Sequence, residues 1–459
     1  MTRGDRMAST HFDDDWLVIG SGFGGSVAAL RLAQKGYRVG VLERGRRYRD
    51  EDLPASAWQF DKFVWAPGLG LKGIMRNTLF RHVFSSSQTG VGGGSLVYGG
   101  VLFRARPAFF TDAQWRDLGP WEPLLQPHYA TAERMLGVRT VPFTSTSQQL
   151  TREMAAHFGA EDSYDLAPVG VFFGEPGKTV KDPYFGGEGP DRTGCTRCGS
   201  CLVGCRTGAA NTLTKNYLWF AEKRGVQILA EREVIDVTPL GALDGSEGYC
   251  VTTQRSSARL KRDQQTYTAR GVVFAGGSTG TNALLANCKH SGSLPRISNR
   301  LGELVRTNSE TVLTVRLPED QRTWNDVAAS SRLILNQDTQ LEFLSYGRHG
   351  DFMSLFFTAM VGDGNQLTRP LQWLGSVLRH PVQSAKTLWP VGWSRRTVMM
   401  LVMQAQDNAI SFQAVKRRLG SGFRLKTAQH SAKPAPTYIE LGHQAARWLA
   451  ANEAEHAPR

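Results

Sequence analysis

The chain has 459 residues, a length that needs two or three packed cores rather than one. With 41% hydrophobic and 21% charged residues, its composition is that of a globular protein and not of a disordered one. The formal charge of +13 suits solubility, nucleic acid or an anionic membrane surface. No compact Lys/Arg block with interleaved aromatics marks a nucleic-acid groove, so no nucleic-acid partner is expected. Six cysteines in a chain this long do not make a disulfide scaffold.

In chain order, residues 1–16 have no apolar core of the kind a signal peptide carries, so a cytoplasmic location is expected. Asp13-Asp14-Asp15 reads as a solvated lead-in to the first strand. Residues 14–45 then read as strand, glycine-rich turn, helix and second strand. The turn is Val18-Ile19-Gly20-Ser21-Gly22-Phe23-Gly24-Gly25-Ser26, and the second strand ends in Leu42-Glu43-Arg44-Gly45. This is a βαβ cradle for a dinucleotide: Gly20 for the tight turn, Gly22 for backbone approach to a pyrophosphate, Gly25 for packing of the helix on the sheet. Free N–H groups and the positive end of the dipole at the helix start would face the phosphates. Glu43 stands where an acid takes the ribose hydroxyls, with Arg44 beside it.

Residues 83–103 are uncharged but hold six glycines and four serines, which is not a membrane helix. Within them Gly90-Val91-Gly92-Gly93-Gly94-Ser95-Leu96-Val97-Tyr98-Gly99-Gly100 offers bare main chain that can lie against a flat ring system or wrap phosphate. Its apolar continuation is expected to enter a buried strand. Residues 107–140 are expected to be helical, and the Gly/Pro-rich residues 166–193 to be an irregular loop.

That loop leads to Cys195-x2-Cys198-x2-Cys201-x3-Cys205, the spacing of a bacterial ferredoxin run with Arg206 in place of the usual Pro. Such close packing favours iron–sulfur ligation over zinc, which prefers two separated pairs, while buried free thiols are the alternative. A helix is expected over 211–224, strands over 227–230, 234–237, 249–254 and 266–275, and a helix over 281–285. The strand ending in Val272-Val273-Phe274-Ala275-Gly276-Gly277 makes a second βα turn that brings backbone close to a ligand. Cys250 and Cys288 read as core residues. Residues 310–360 alternate strand-like segments, with Glu342 an acid on one of them, and 366–403 read as helical and basic. Residues 366–398 carry Arg369, Arg379, Lys386, Arg395, Arg396, Trp373, Trp389 and Trp393 and no acid. That mixture suits either peripheral contact with an anionic membrane or a covering helix broken by Pro370, Pro381 and Pro390.

Residues 19–25, 43–45, 90–100 and 272–285 follow one another as in the glucose–methanol–choline (GMC) oxidoreductases, and the chain resembles that family over nearly its whole length, most of all its cholesterol oxidase-like branch of sterol and long-chain alcohol enzymes. The resemblance implies an α/β fold: a Rossmann-like FAD-binding domain (1–105 and 190–310) and a discontinuous α+β substrate domain on an antiparallel sheet (106–189 and 311–459). It implies FAD, with Gly20, Gly22 and Gly25 at the pyrophosphate and Glu43 and Arg44 at the adenosine ribose. Gly93, Gly94 and Ser95 would run beside the flavin, Val234 would sit by the adenine, and Ala275-Gly276 would close over it. A flavin held by distant chain segments fits these turns better than an exchangeable nicotinamide does.

The implied activity is oxidation of a CH–OH donor, a sterol or other bulky lipid-like alcohol, with hydride passing to flavin N5 and electrons leaving to O2 or a redox partner. An iron–sulfur-bearing branch of the family uses an x5, x3 cysteine set, here Cys195, Cys201 and Cys205, to pass those electrons on. Where the cholesterol oxidase-like loop carries Asn after Gly-Gly-Gly-Ser-Leu-Val, this chain has Tyr98. The family's late catalytic His stretch and Asn-Pro-Ser/Thr motif have no counterpart in residues 438–459, and the catalytic base is left unassigned. His443 reads as an exposed helix residue, and His430 and His456 carry no pattern. The expectation is a GMC protein cut short, or one completed by a partner chain; a flavin-binding protein without activity and an iron–sulfur electron-transfer flavoprotein are the alternatives.

Overall fold

The computed structural model of the chain describes residues 12–258, 262–365, 367–417, 422–429 and 434–455; His430 and His456 lie outside them. The strands of its two large sheets are β1 (Asp14–Ile19), β2 (Val39–Leu42), β3 (Tyr164–Leu166), β4 (Gln227–Leu229), β5 (Arg232–Pro239), β6 (Tyr249–Arg255), β7 (Gln265–Phe274), β8 (Glu310–Arg316), β9 (Ser331–Ile334), β10 (Thr339–Leu344) and β11 (Thr397–Gln404). The main helices are α1 (Phe23–Gln34), α2 (Thr146–Phe158), α3 (Tyr217–Lys223), α4 (Gly277–Ser291), α5 (Thr368–Arg379), α6 (Pro381–Leu388) and α7 (Glu440–Glu455).

The first sheet has the order β4-β2-β1-β7-β6-β5. Strands β4, β2, β1 and β7 run parallel, and β6 and β5 continue antiparallel. The middle strands are continuous apolar runs because both faces are covered. Val18 and Val41 pack with Ala29 and Leu30 of α1 and Leu218 of α3 on one side. Leu17, Ile19 and Leu42 pack with Leu284 and Cys288 of α4 on the other. Cys288 is therefore core, as expected, and Cys250 is half-buried on β6.

The second sheet is fully antiparallel in the order β8-β11-β10-β9-β3. Its side chains alternate between faces. Leu333, Leu341, Phe343, Val398, Met400 and Val402 face α2 and α7, whose Leu150, Met154, Ala445 and Leu449 complete the core. The opposite face presents Glu310, Val312, Arg332, Gln340, Glu342, Leu401 and Met403 by register.

Three local expectations are corrected. Residues 107–140 are not one helix: Gly119 and Pro120 separate the short helix Pro107–Phe110 from the helix Trp121–Met135. The loop after Gly92 enters the 3-10 turn Gly93–Leu96 rather than a strand, although Leu96 and Val97 are buried. The end of 366–403 is strand β11, because its apolar run lies in the middle of a sheet.

Candidate cofactor and substrate site

The site grows from the carboxyl end of β1. The Gly20 N–H donates to Leu42 O (2.9 Å) and the Ala275 N–H donates to Ile19 O (2.8 Å), so the turns after β1, β2 and β7 meet at one edge. Open α/β sheets take ligands at such an edge. A Cβ on Gly25 would stand 1.9 Å from Gly20 O, so only glycine lets α1 start against the turn. Gly93 has φ +52°, and a Cβ there would stand 2.7 Å from the Gly22 Cα. The glycine loop and the phosphate-type turn thus touch backbone to backbone.

Glu43 ties these segments together. It is 7% exposed, and its Oε2 accepts from Ser21 N (3.1 Å) and Ser21 Oγ (2.7 Å). Its Oε1 accepts from Gly45 N (2.7 Å) and Gly90 N (3.4 Å). The Glu231 N–H donates to Gly45 O (2.9 Å) and Arg232 N–H to Glu43 O (2.8 Å), which brings Val234 of β5 to the same edge. Arg44 turns to Glu233 instead (3.4 Å), and Glu233 also accepts from Gln254 (3.0 Å). Ser95 is fully buried; its hydroxyl donates to Gly92 O (2.7 Å) and accepts from Leu213 N (3.0 Å). Gly94 adjoins the Phe23 ring, within 3.8 Å of where a Cβ would lie.

Two helix starts open on this edge. Neither the Gly22 cap of α1 nor the Gly276 cap of α4 carries a side-chain cap bond, and neither first turn holds an acid. Unsatisfied N–H groups beside side-chain-free backbone fit the pyrophosphate and flat rings of FAD. Gly20, Gly22, Gly25, Gly93, Gly94, Ser95, Ala275 and Gly276 therefore come together, with Glu43 beneath them.

Several residues take contacts here that the sequence motifs do not specify. Ser21 links Glu43 to the glycine loop, its Oγ accepting from Gly92 N (3.1 Å). Arg192, 1% exposed, lies in the loop read as irregular; its Nε donates to Asn211 Oδ1 (2.7 Å), its Nη2 to Lys215 O (2.8 Å), and its Nη1 to Pro190 O. Tyr98 donates to Asn211 O (3.3 Å) with its ring edge-on to Phe23 at 5.5 Å, and burial raises its phenol pKa.

The iron–sulfur expectation for Cys195, Cys198, Cys201 and Cys205 is not supported. The four line one small cavity with Asp326, but Cys198 is exposed, and among the described residues no group of three or more His, Cys, Asp or Glu side chains is arranged to hold a metal ion. The Cys195 sulfur accepts from Arg197 N and the Cys205 sulfur from Ala210 N, each at 3.4 Å. Burial pushes the Cys195 thiol up to about 12 and raises Cys201 and Cys205 as well.

On the second sheet, Glu342 is 5% exposed, flanked by Leu401 of β11 and Arg332 of β9. Burial pushes its carboxyl up to about 7; Arg332 opposes that rise and Glu310 adds to it. His443 corrects an expectation: it is buried at 4% in α7, its Nδ1 2.8 Å from Ile439 O and its ring 4.0 Å from that of Tyr438. It packs within the first turns of a helix on the far face of this sheet.

Parallel strands whose glycine turns converge at the carboxyl edge of one sheet define a dinucleotide-binding protein of the Rossmann-like class. The GMC oxidoreductase profile matches residues 189–301, and an NAD(P)-binding Rossmann-like domain matches residues 18–48. A cholesterol oxidase of Mycobacterium tuberculosis is 43% identical over 452 residues, covering 96% of this chain and 77% of that protein. One from Acinetobacter baumannii is 40% identical, covering 94% and 79%. An FAD-dependent oxidoreductase from Chaetomium thermophilum shares the fold, with a TM-score of 0.54 and 14% identity over 97% of this chain and 82% of that one. The chain belongs to the GMC oxidoreductase family and is an FAD-dependent oxidoreductase. No described helix is long and apolar enough to cross a membrane.

Proposed function

We propose that this oxidoreductase acts on the hydroxyl of a sterol or another bulky lipid-like alcohol, with O2 or a redox partner as the final electron acceptor. The observation that carries this reading is the buried acid Glu342 on the face of the second sheet turned away from α2 and α7. There Glu342 lies beside Leu401 and Arg332, with Val312 and Met403 interspersed with Glu310 and Gln340. The names of the two cholesterol oxidases support the same substrate class.

FAD, when bound, supplies N5 as hydride acceptor for the alcohol carbon. Gly20, Gly22 and Gly25 would hold its pyrophosphate on the α1 N–H groups, Glu43 would set the ribose end, Val234 and Ala275-Gly276 would line the adenine end, and Gly93, Gly94 and Ser95 would flank the rings. Glu342 would take the hydroxyl proton, since a carboxyl near 7 is balanced between accepting and returning a proton at neutral pH. The alcohol becomes a carbonyl as its hydride and proton depart to different acceptors.

The test is the visible spectrum of the purified chain, followed by anaerobic addition of a 3β-hydroxysteroid. Bleaching of the flavin bands is the expected result. A yellow protein whose bands do not change with any sterol or long-chain alcohol would overturn the substrate reading and leave a flavin-binding protein without this activity.

A further inference from the structure

Helices α5 and α6 carry an apolar stripe on the outside of the protein. Leu367, Leu371, Leu374 and Leu378 recur at steps of four, three and four residues, which sets them on one side of α5. They are 78%, 68%, 47% and 72% exposed, while Trp373 and Val377 turn toward the protein. Beyond the break at His380-Pro381, Val382, Trp389 and Val391 continue the exposed apolar surface.

The charge of the same segment is one-sided. Residues 366–398 hold five Lys/Arg and no acid. Arg379, Lys386 and Arg395 are exposed, and none forms an ion pair among the described residues. A second copy of this face would bring like charges together, which disfavours self-association. A surface of anionic headgroups over acyl chains satisfies both halves of the pattern. At 12 residues, α5 is about 18 Å long, short of the roughly 30 Å needed to cross a bilayer.

We propose that α5 and α6 form a docking surface for an anionic lipid bilayer. The leucine stripe and Trp389 enter the boundary between headgroups and acyl chains, and Arg379, Lys386 and Arg395 meet lipid phosphates. This rests on no part of the substrate reading: vesicle binding and steroid-dependent bleaching are measured separately and fail separately.

The experiment is cosedimentation of the full chain with phosphatidylcholine vesicles, with and without phosphatidylglycerol. Binding is expected only with phosphatidylglycerol, weakening as salt rises, with a blue shift of tryptophan emission that Trp389→Phe diminishes. Leu371→Glu with Leu378→Glu should abolish binding, and Arg379→Gln and Lys386→Gln should each weaken it about fivefold. Unchanged flavin absorbance would show that each variant is folded. Equal binding to neutral vesicles, or wild-type binding by the folded double Glu variant, overturns the proposal. So does the absence of vesicle binding together with a dimer that the double Glu variant dissolves, which would give the stripe to a second copy.

Discussion

Ser21 and Glu43 are joined twice, the Ser21 N–H and hydroxyl both donating to Glu43 Oε2, at 3.1 and 2.7 Å. Through the other oxygen the same carboxylate reaches Gly45 and Gly90. A buried charge with four donors fixes the first turn, the second strand and the glycine loop relative to one another.

Replacing that charge weakens all three attachments at once. Glu43→Gln keeps the volume but turns one acceptor oxygen into a donor facing N–H groups. The expected cost is about 2–3 kcal/mol of folding stability together with loss of bound flavin. Urea denaturation and the ratio of visible to ultraviolet absorbance measure these; a fully yellow variant of wild-type stability would refute the clamp.

Backbone crowding and backbone strain separate at two glycines. Gly93→Ala places a Cβ 2.7 Å from the Gly22 Cα at φ +52°, whereas Gly36→Ala meets open space at φ +87°. Both pay left-handed strain of about 1 kcal/mol, but Gly93→Ala should cost about 1–3 kcal/mol more and lose flavin. Equal losses from the two variants would show that the loop contact contributes nothing.

Glu342 makes stability depend on pH. Its folded carboxyl, near 7, is raised above the ordinary value of 4.5, so the folded state binds more protons between those values. Its contribution is intact below about 4.5 and is lost as pH rises through about 7. Glu342→Gln should therefore match wild type near pH 4 and be more stable at pH 8, by about 3 kcal/mol at most. If Glu342 takes the substrate proton, the same variant also loses the inflection near 7 in the rate of steroid-dependent bleaching. Identical urea midpoints at both pH values would contradict the buried assignment.

Arg192 is a test of the loop before the cysteines. Arg192→Met leaves Asn211 Oδ1 and Lys215 O without their donor in a buried setting. A loss of about 3 kcal/mol is expected, with Arg192→Lys intermediate because one ammonium cannot span both acceptors. Chemical denaturation of the two variants checks the order, and a Lys variant as weak as Met would argue against the fork geometry.

Much of the nucleotide edge is readable in the chain because its requirements are local. Gly20, Gly22, Gly25 and Glu43 sit within one βαβ unit, where turn sterics and strand length fix the spacing. Gly93-Gly94-Ser95 and Ala275-Gly276 are visible as bare backbone beside apolar runs. The cysteine run shows what spacing conveys by itself: four thiols within eleven residues read as neighbours, and in the fold the four residues line one small cavity, with Cys198 exposed. Residues 397–404 read as the tail of a basic helical segment and fold as the strand between β8 and β10, because partners far along the chain supply both neighbours.

The sequence by itself determined that a dinucleotide-type turn, a strand-end acid and a glycine-only loop are present, since each depends on a few consecutive dihedrals and the absence of a Cβ. Only the tertiary structure decided that Glu43 binds all of them, that Arg192 is buried, that Glu342 and His443 lie on opposite sides of the second sheet, and that the leucines of α5 face outward. Those outcomes depend on which distant segments exclude water from a side chain. Burial of that kind is a property of packed surfaces, and no stretch of sequence carries it alone.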